Sequence, residues 1–163
     1  MSITDPENTI VFDIDTTDPA TSGKVTIRLR PDLAPQHVER IKALVREGFY
    51  DGTPFHRVIE GFMAQGGDPT GTGMGGSDKP DLKAEFTNTP FKRGTVGMAR
   101  AMDPDSANSQ FFICFTDCPF LDGQYTVWGE VVDGMDVIDA LPRGEPVPNP
   151  GRIVKAWVAA DAS

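Results

Sequence analysis

The sequence predicts a mainly β protein, in which a closed eight-stranded antiparallel β-barrel is capped by two α-helices. Eight short segments are apolar or alternate apolar with polar residues, as strands do. Only two segments have the apolar spacing of a helix. Closing so many short strands into a barrel would leave no exposed strand edge, and the helices would then cover its open ends.

The predicted strands follow the chain in order. Alternation in residues 9–14 and 24–30, with a turn around Gly23, indicates an opening hairpin. Stretches rich in Gly, Pro, Asp and Ser separate the next five runs, which are residues 55–59, 62–65, 95–99, 110–115 and 126–132. A proline-rich loop then leads to the last predicted strand, residues 152–159.

The two predicted helices differ in length. Residues 35–48 repeat apolar side chains every three to four positions, with proline at the start and glycine at the end. Residues 134–141 fit a second, shorter helix that Pro142 ends. The acids near it are better explained as a solvated face than as a metal site, and these are Asp133, Asp136 and Asp139.

Length and composition predict one domain. The chain has 163 residues, of which 39% are hydrophobic and 24% charged, so it can bury a core of its own. No internal repeat or linker divides it, and we expect a single domain over residues 1–163 with a core of about 9–159. Without a heptad pattern or a long apolar patch, a monomer is expected.

The charge and the first residues exclude several classes of function. A formal net charge of −9 opposes binding to nucleic acid, which depends on clustered lysine and arginine. No apolar run approaches the length of a membrane span, and residues 1–7 lack the pattern of a signal peptide. We therefore expect a cytoplasmic protein that does not contact membranes.

Familiar motifs for cofactors and metals are missing or misplaced. Residues 71–76 match the G-x-G-x-x-G pattern, but no strand leads into them and no helix follows, so a nucleotide site is not predicted. Cys114 and Cys118 have neither the spacing of a C-x2-C redox motif nor that of a zinc site. We expect one buried thiol and one in a turn before Pro119, and no cofactor or metal.

The segment of residues 55–67 contains an arginine among apolar neighbours. Strand alternation would place Arg57 on one face with Phe55 and Ile59, and burying an arginine without a partner is costly. From spacing alone, an arginine paired with a carboxylate at the barrel rim is the better explanation. A catalytic arginine remains the alternative.

The sequence resembles the cyclophilins, a family of peptidyl-prolyl cis-trans isomerases. The similarity lies in six blocks that follow the family's order and extend over roughly residues 9–159. They are YDGTPFHRVI at 50–59, GFMAQGGD at 61–68, GTVGMAR at 94–100, SQFFI at 109–113, LDG at 121–123 and VWG at 127–129. The resemblance implies an enzyme that rotates X-Pro bonds in proline-containing peptides and in unfolded or partly folded proteins.

The resemblance also implies roles for particular residues. Arg57 matches the catalytic arginine. The apolar wall that holds the proline ring matches Phe62, Met63, Phe112 and Leu121. The remaining matches are the polar site residues His56 and Gln65, the peptide-binding segment Ala99, Arg100 and Ala101, a loop glycine at Gly73, and the rim positions Phe120 and Tyr125.

Two positions depart from the best-known family members, which have Trp where this chain has Phe120 and His where it has Tyr125. In the family that Trp is associated with tight cyclosporin binding, so weakened cyclosporin binding is expected. The loop at residues 101–108 resembles that of bacterial cyclophilins, and the loop at Gly73 is one residue shorter than in the family.

The chemistry implied by the resemblance requires no nucleophile. Rotation about an X-Pro bond faces a barrier of about 18–20 kcal/mol, and only groups that favour the twisted amide over both planar forms lower it. A fixed guanidinium could donate a hydrogen bond to the prolyl nitrogen as it becomes pyramidal. The alternative is a proline-peptide binding module or chaperone on the same fold, which would have no need of Arg57.

Overall fold

The computed structural model describes residues 5–161. Both ends of the expected domain of residues 1–163 therefore lie outside the described residues, as do the first four of residues 1–7, which were expected to lack a signal peptide. The described chain contains two α-helices, α1 at Pro35–Arg46 and α2 at Met135–Asp139. Its strands are β1 (Thr9–Asp15), β2 (Gly23–Leu29), β3 (Arg57–Ile59), β4 (Met63–Gly66), β5 (Thr95–Met98), β6 (Phe111–Cys114), β7 (Val127–Asp133) and β8 (Arg152–Val158).

The eight strands form one antiparallel sheet in the order β3-β4-β6-β5-β7-β2-β1-β8. The predicted mainly β class, strand number and two helices are confirmed. The predicted closure is wrong, because β3 and β8 are the two edges of the sheet and no ladder joins them. The sheet is a curled, open half-barrel. The residues before β3 meet the start of β8 only locally, at an isolated bridge between Pro54 and Arg152 and through neighbouring backbone hydrogen bonds, such as that from Phe55 N–H to the Gly151 carbonyl.

A different part of the chain occupies the outer edge of β3. Val58 and Gly144 exchange two backbone hydrogen bonds of 2.9 Å each, and the N–H of Val147 donates to the carbonyl of His56 over 2.9 Å. We call residues 144–147 the edge segment. Because β3 is only three residues long and the edge segment takes its free hydrogen-bonding groups, β8 cannot pair with it.

The core lies inside the curl of the sheet. Its largest fully buried side chains include Trp128, Tyr50, Phe12 and Phe111, and α1 covers it with its apolar face. Both helices are shorter than predicted. Helix α1 ends at Arg46, with the chain turning through a positive φ at Gly48, and α2 covers only five residues.

Three further expectations concern the cysteines, the acids near α2 and membrane spans. Both cysteines are free and buried, so the expected turn thiol at Cys118 is also enclosed. Asp139 pairs with Arg93 at 2.6 Å, and among residues 5–161 no cluster of three or more His, Cys, Asp or Glu could hold a metal ion. No helix within those residues combines the length and apolar character needed to cross a bilayer.

Candidate active site

The β3–β4 hairpin places Arg57 directly opposite Gln65. The next pair in the ladder, Val58 and Ala64, is buried in the core. Successive side chains on a strand face opposite sides of the sheet. Arg57 is therefore on the outer face, with a side chain that is 38% exposed. The predicted shared face with Phe55 is wrong, since Phe55 precedes β3 and lies fully buried against Phe111.

Strand β6 contributes the apolar floor of the site. Phe111 faces the main core, whereas its neighbour Phe112 faces a second apolar cluster that includes Met63 and Leu121. The Phe112 ring stacks on Phe91 at a centroid distance of 5.6 Å and meets Tyr125 edge-on at 5.5 Å. These contacts fix the orientation of the Phe112 ring.

The close approach of these rings depends on a glycine in β5. Gly97 pairs with Phe112 across the β5–β6 ladder. A Cβ on Gly97 would lie 2.7 Å from Phe91 Cε2 and 2.8 Å from Phe112 Cζ, distances too short for any side chain. Gly97 is thus needed for the stacked pair beneath the site.

A small cavity of about 130 Å³ opens above this floor. It contains most of the predicted site residues, and they are Arg57, Phe62, Met63, Gln65, Ala99, Arg100, Phe112, Leu121 and Tyr125. Its volume is well below the roughly 300–1,000 Å³ of pockets for drug-sized ligands. The cavity therefore suits one small apolar side chain, with a guanidinium at its rim.

A larger cavity of about 400 Å³ adjoins the first. It shares Gln65, Ala99 and Arg100 with the small cavity, and the predicted residues Gly73 and Ala101 line it as well. The two cavities together form a continuous groove that could hold an extended peptide on either side of one buried ring.

Asp68 organises the glycine-rich loop at the wall of the larger cavity. Its carboxylate accepts hydrogen bonds from the backbone N–H groups of Thr70, Gly73 and Gly75, at 2.8, 2.7 and 3.1 Å, and from the Thr70 hydroxyl. Burial alone would raise the pKa of Asp68, but these hydrogen bonds outweigh it and lower the pKa to about 2. The carboxylate thus occupies N–H groups that a nucleotide phosphate would require.

A chain of polar side chains crosses the groove. Arg57 Nη1 donates to Gln65 Oε1 at 3.1 Å, and Gln65 Nε2 donates to Gln110 Oε1 at 3.0 Å. Gln110 Nε2 then donates to the carbonyls of Gly73 and Gly75 at 3.0 and 2.9 Å. Because arginine can only donate, both amides are oriented by the first bond, and the glycine-rich loop is connected to Arg57.

The opposite side of Arg57 faces a carboxylate. Arg57 Nε lies 3.4 Å from Oε1 of Glu145, a residue of the edge segment. The carboxylate partner considered from the sequence therefore exists, yet the arginine also faces the small cavity. The two explanations offered for Arg57 are compatible.

Arg100 and Tyr125 form the far wall of the groove. The Arg100 guanidinium lies 4.6 Å from the centroid of the Tyr125 ring, within cation–π range. Arg100 Nη2 also donates to the Gln124 carbonyl at 2.7 Å. This wall is therefore fixed by contacts within the protein.

Two predicted residues lie outside both cavities. The His56 ring is buried beneath Gly73, and burial lowers its pKa, with Asp68 opposing and Arg57 adding to this effect. Within residues 5–161, His56 Nδ1 is buried without a hydrogen-bond partner. Phe120 is 67% exposed and meets only the rim, with its ring centroid 5.6 Å from that of Phe62.

Four residues of the site were not selected from the sequence. Gln110 lies two positions before Phe112, so strand alternation could have placed it on the same face. Phe91 and Gly97 support the Phe112 ring from below, and Glu145 reaches Arg57 from 88 positions further along the chain. Nothing in local sequence indicates such a distant partner.

Comparisons with known proteins identify the family of this chain. Residues 11–158 match the family described as cyclophilin type peptidyl-prolyl cis-trans isomerase/CLD. The chain is 53% identical over 176 residues to a probable peptidyl-prolyl cis-trans isomerase of Brucella suis, covering 98% of this chain and 87% of the relative. It is 45% identical over 127 residues to a peptidyl-prolyl cis-trans isomerase of Helicobacter pylori, covering 76% of this chain and 77% of the relative.

Solved structures with the same fold have related names. The cyclophilin AquaCyp293 from Hirschia baltica superposes with a TM-score of 0.87 at 32% identity, covering 98% of this chain and 76% of that one. A cyclophilin type peptidyl-prolyl cis-trans isomerase of Cryptosporidium parvum, crystallised in the presence of the dipeptide Ala-Pro, gives 0.83 at 29% identity, covering 92% and 98%. With a family match over residues 11–158 and relatives of this similarity, the chain belongs to the cyclophilin family of peptidyl-prolyl cis-trans isomerases.

Proposed function

We propose that this protein assists the folding of proline-containing polypeptides by rotating X-Pro bonds, with Arg57 stabilising the twisted amide while the small cavity holds the proline ring. The observation that carries this proposal is the position of the Arg57 guanidinium at the rim of an apolar cavity that fits one small side chain. The similar Cryptosporidium structure was determined in the presence of the dipeptide Ala-Pro, and this supports proline peptides as substrates.

The small cavity supplies orientation. Its floor and wall are apolar, formed by Phe112, Met63, Leu121 and Phe62, so a proline ring would be held there while the preceding carbonyl rotates. Excluding water from the ring also lowers the local dielectric constant and strengthens hydrogen bonds from the arginine. The cavity therefore binds one side of the reacting bond and leaves the other free.

Arg57 supplies the stabilisation that is specific to the transition state. In the planar amide the prolyl nitrogen shares its lone pair with the carbonyl, whereas in the twisted amide it can accept a hydrogen bond. Arginine is always protonated and its guanidinium is rigid, so a donor fixed beside that nitrogen favours the twisted form over both planar forms. Gln65 holds the guanidinium in place through Nη1.

One hydrogen bond cannot account for the whole rate enhancement. An acceleration of about 10⁵-fold corresponds to roughly 7 kcal/mol. A hydrogen bond to a charged group contributes about 1.5–3 kcal/mol. In this mechanism the orientation of the ring in the small cavity contributes the larger part.

Several properties follow from the same proposal. The clients are proline-containing peptides and unfolded or partly folded proteins, and the net charge of −9 disfavours nucleic acid. Cyclosporin binds weakly, because Phe120 provides less contact area than Trp and no N–H donor. In this proposal the protein acts in the cytoplasm as a monomer and needs no cofactor.

A binding module or chaperone is the second candidate function. Large apolar side chains are unusually exposed at the larger cavity and elsewhere on the surface, with Met74, which lines that cavity, 90%, Met102 97% and Phe120 67% exposed. Such side chains favour contact with unfolded polypeptide. A protein that only binds proline peptides would not need Arg57, so replacing Arg57 and measuring turnover tests which function is correct.

The test compares Arg57→Ala with Arg28→Ala, since Arg28 is an exposed arginine of β2 that pairs with Glu130. Exchange NMR on X-Pro peptides would measure turnover and affinity together. We expect Arg57→Ala to lower turnover about ten- to a hundredfold with affinity nearly unchanged, and Arg28→Ala to leave both unchanged. Normal turnover in folded Arg57→Ala would remove Arg57 from the mechanism, whereas a wild-type protein that binds these peptides with little turnover would favour the binding module.

A further inference from the structure

We infer that Glu145 is a positioning residue for the isomerase reaction, which holds the Arg57 guanidinium from the side opposite Gln65. This inference rests on the proposed function, because it assumes that Arg57 acts on the substrate. It concerns a residue far from every block that identifies the family, in the edge segment that follows α2.

The backbone of the edge segment is fixed against β3. Gly144 exchanges two 2.9 Å hydrogen bonds with Val58, and Val147 donates to the carbonyl of His56. The residues bonded to the edge segment are therefore the two neighbours of Arg57. Glu145 follows Gly144 directly, so its Cα is held beside Arg57 whatever its side chain does.

The path of the edge segment is closely specified at Gly144. Its φ of +152° is one that side-chain-bearing residues rarely adopt. A Cβ there would lie 2.7 Å from the Pro146 carbonyl oxygen and 2.9 Å from Val147 Cα. The segment thus packs closely around a glycine, and Val147 is buried in the main core beyond it.

The three nitrogen atoms of the Arg57 guanidinium differ in their contacts with the protein. Nη1 donates to Gln65 Oε1 at 3.1 Å, and Nε lies 3.4 Å from Glu145 Oε1. Within residues 5–161, Nη2 donates no hydrogen bond to the protein. A hydrogen-bond acceptor on one side and an ion-pair partner on the other restrict rotation of the planar group, and Nη2 stays free to donate to a ligand in the small cavity that Arg57 lines.

Glu145 remains outside the reaction itself. It does not line either cavity, and its side chain is 60% exposed. The effect of Glu145 is therefore exerted through Arg57. Glu145 does not bind substrate but lowers the fraction of Arg57 side chains whose guanidinium points away from the substrate. Since exposed ion pairs are weak, we expect an effect on turnover of about two- to fivefold.

The test uses Glu145→Ala with Glu60→Ala as the matched control. Glu60 is an exposed glutamate near β3 that pairs with Arg143, so its removal changes the net charge equally without touching Arg57. We expect Glu145→Ala to lower kcat about two- to fivefold with KM nearly unchanged, and Glu60→Ala to change neither. Equal melting temperatures would confirm that both variants are folded.

A second measurement observes the contact itself. The NMR signal of the Arg57 Nε–Hε group, assigned by its loss in Arg57→Lys, should shift in Glu145→Ala and stay in place in Glu60→Ala. An unchanged kcat and an unchanged Nε–Hε signal in Glu145→Ala, with Arg57→Ala inactive, would overturn this inference alone. If Arg57→Ala keeps normal turnover, the proposed role of Arg57 fails instead.

Discussion

Arg57 and Gln65 face each other across the β3–β4 ladder, and Nη1 of the arginine donates to Oε1 of the glutamine over 3.1 Å. The glutamine amide in turn donates to Gln110. Gln65 therefore orients the arginine and also connects it to the glycine-rich loop. We therefore expect Gln65 to affect catalysis through Arg57, without taking part in the reaction itself.

We expect Gln65→Ala to lower kcat by about tenfold, because Arg57 loses the acceptor that fixes Nη1. KM should change less, since the apolar floor of the small cavity remains. Exchange NMR on an X-Pro peptide would measure both. The exposed helical glutamine Gln36 provides the control, and equal activity of Gln65→Ala and Gln36→Ala would contradict the orienting role of Gln65.

Phe111 and Phe112 are adjacent on β6 and form a matched pair for the next prediction. Phe111 is fully buried in the main core, and Phe112 lines the small cavity. Replacing either by leucine should destabilise the fold by about 1–3 kcal/mol, as core substitutions commonly do. Only Phe112→Leu should also weaken binding of a proline peptide, by about three- to tenfold.

Denaturant unfolding and NMR titration with the same peptide separate the two effects. If Phe111→Leu weakened peptide binding as much as Phe112→Leu, the loss would reflect general destabilisation. The assignment of Phe112 to the binding surface would then be wrong.

The same alternation explains how far the sequence could predict the fold. Short runs that are apolar or alternate apolar with polar residues located all eight strands, because half-buried strands alternate and fully buried strands such as β5 and β6 are apolar throughout. They failed at Phe55, which alternates in phase with Arg57 yet lies before β3, where the chain no longer has strand geometry. Periodicity indicates faces only inside an element, and its ends are set by tertiary contacts.

Closure of the sheet could not be predicted for a related reason. Which segment pairs with the outer edge of β3 depends on competition between β8 and the edge segment, two parts of the chain that local sequence does not compare. The small cavity was anticipated through family resemblance, which identified Arg57 and Phe112. Glu145 was not, because its approach to Arg57 is a consequence of that unpredicted edge pairing.

Phe120 offers a test of drug sensitivity. It is exposed at the rim beside Phe62, where a larger ring would add contact area without disturbing the core. We expect Phe120→Trp to lower the Kd for cyclosporin at least severalfold, because Trp adds apolar surface and an N–H donor. Titration calorimetry would measure the Kd, with Phe86→Trp, at another exposed phenylalanine, as the control. A Kd unchanged by Phe120→Trp would show that Phe120 is not the cause of weak binding.

Asp68 gives the protein a specific dependence of stability on pH. Its pKa is lowered from 3.8 to about 2 in the folded state, because hydrogen bonds from Thr70, Gly75 and Gly73 favour the ionised carboxylate more than burial disfavours it. A group with a lowered folded-state pKa stabilises the protein above its unfolded pKa. That contribution is lost as the pH falls from about 4 to about 2.

The difference of nearly two pKa units corresponds to about 2 kcal/mol in the free energy of unfolding at neutral pH. We therefore expect Asp68→Asn to be less stable than the wild type by about this amount at pH 7, and the gap to narrow as the pH approaches 2. Urea unfolding at several pH values would measure it, with the exposed Asp103→Asn as the control. Because Asp68 also orders the loop that lines the larger cavity, Asp68→Asn should weaken binding of longer peptides more than that of a dipeptide. A stability gap that stays constant from pH 7 to pH 2 would show that the ionised carboxylate does not hold this loop.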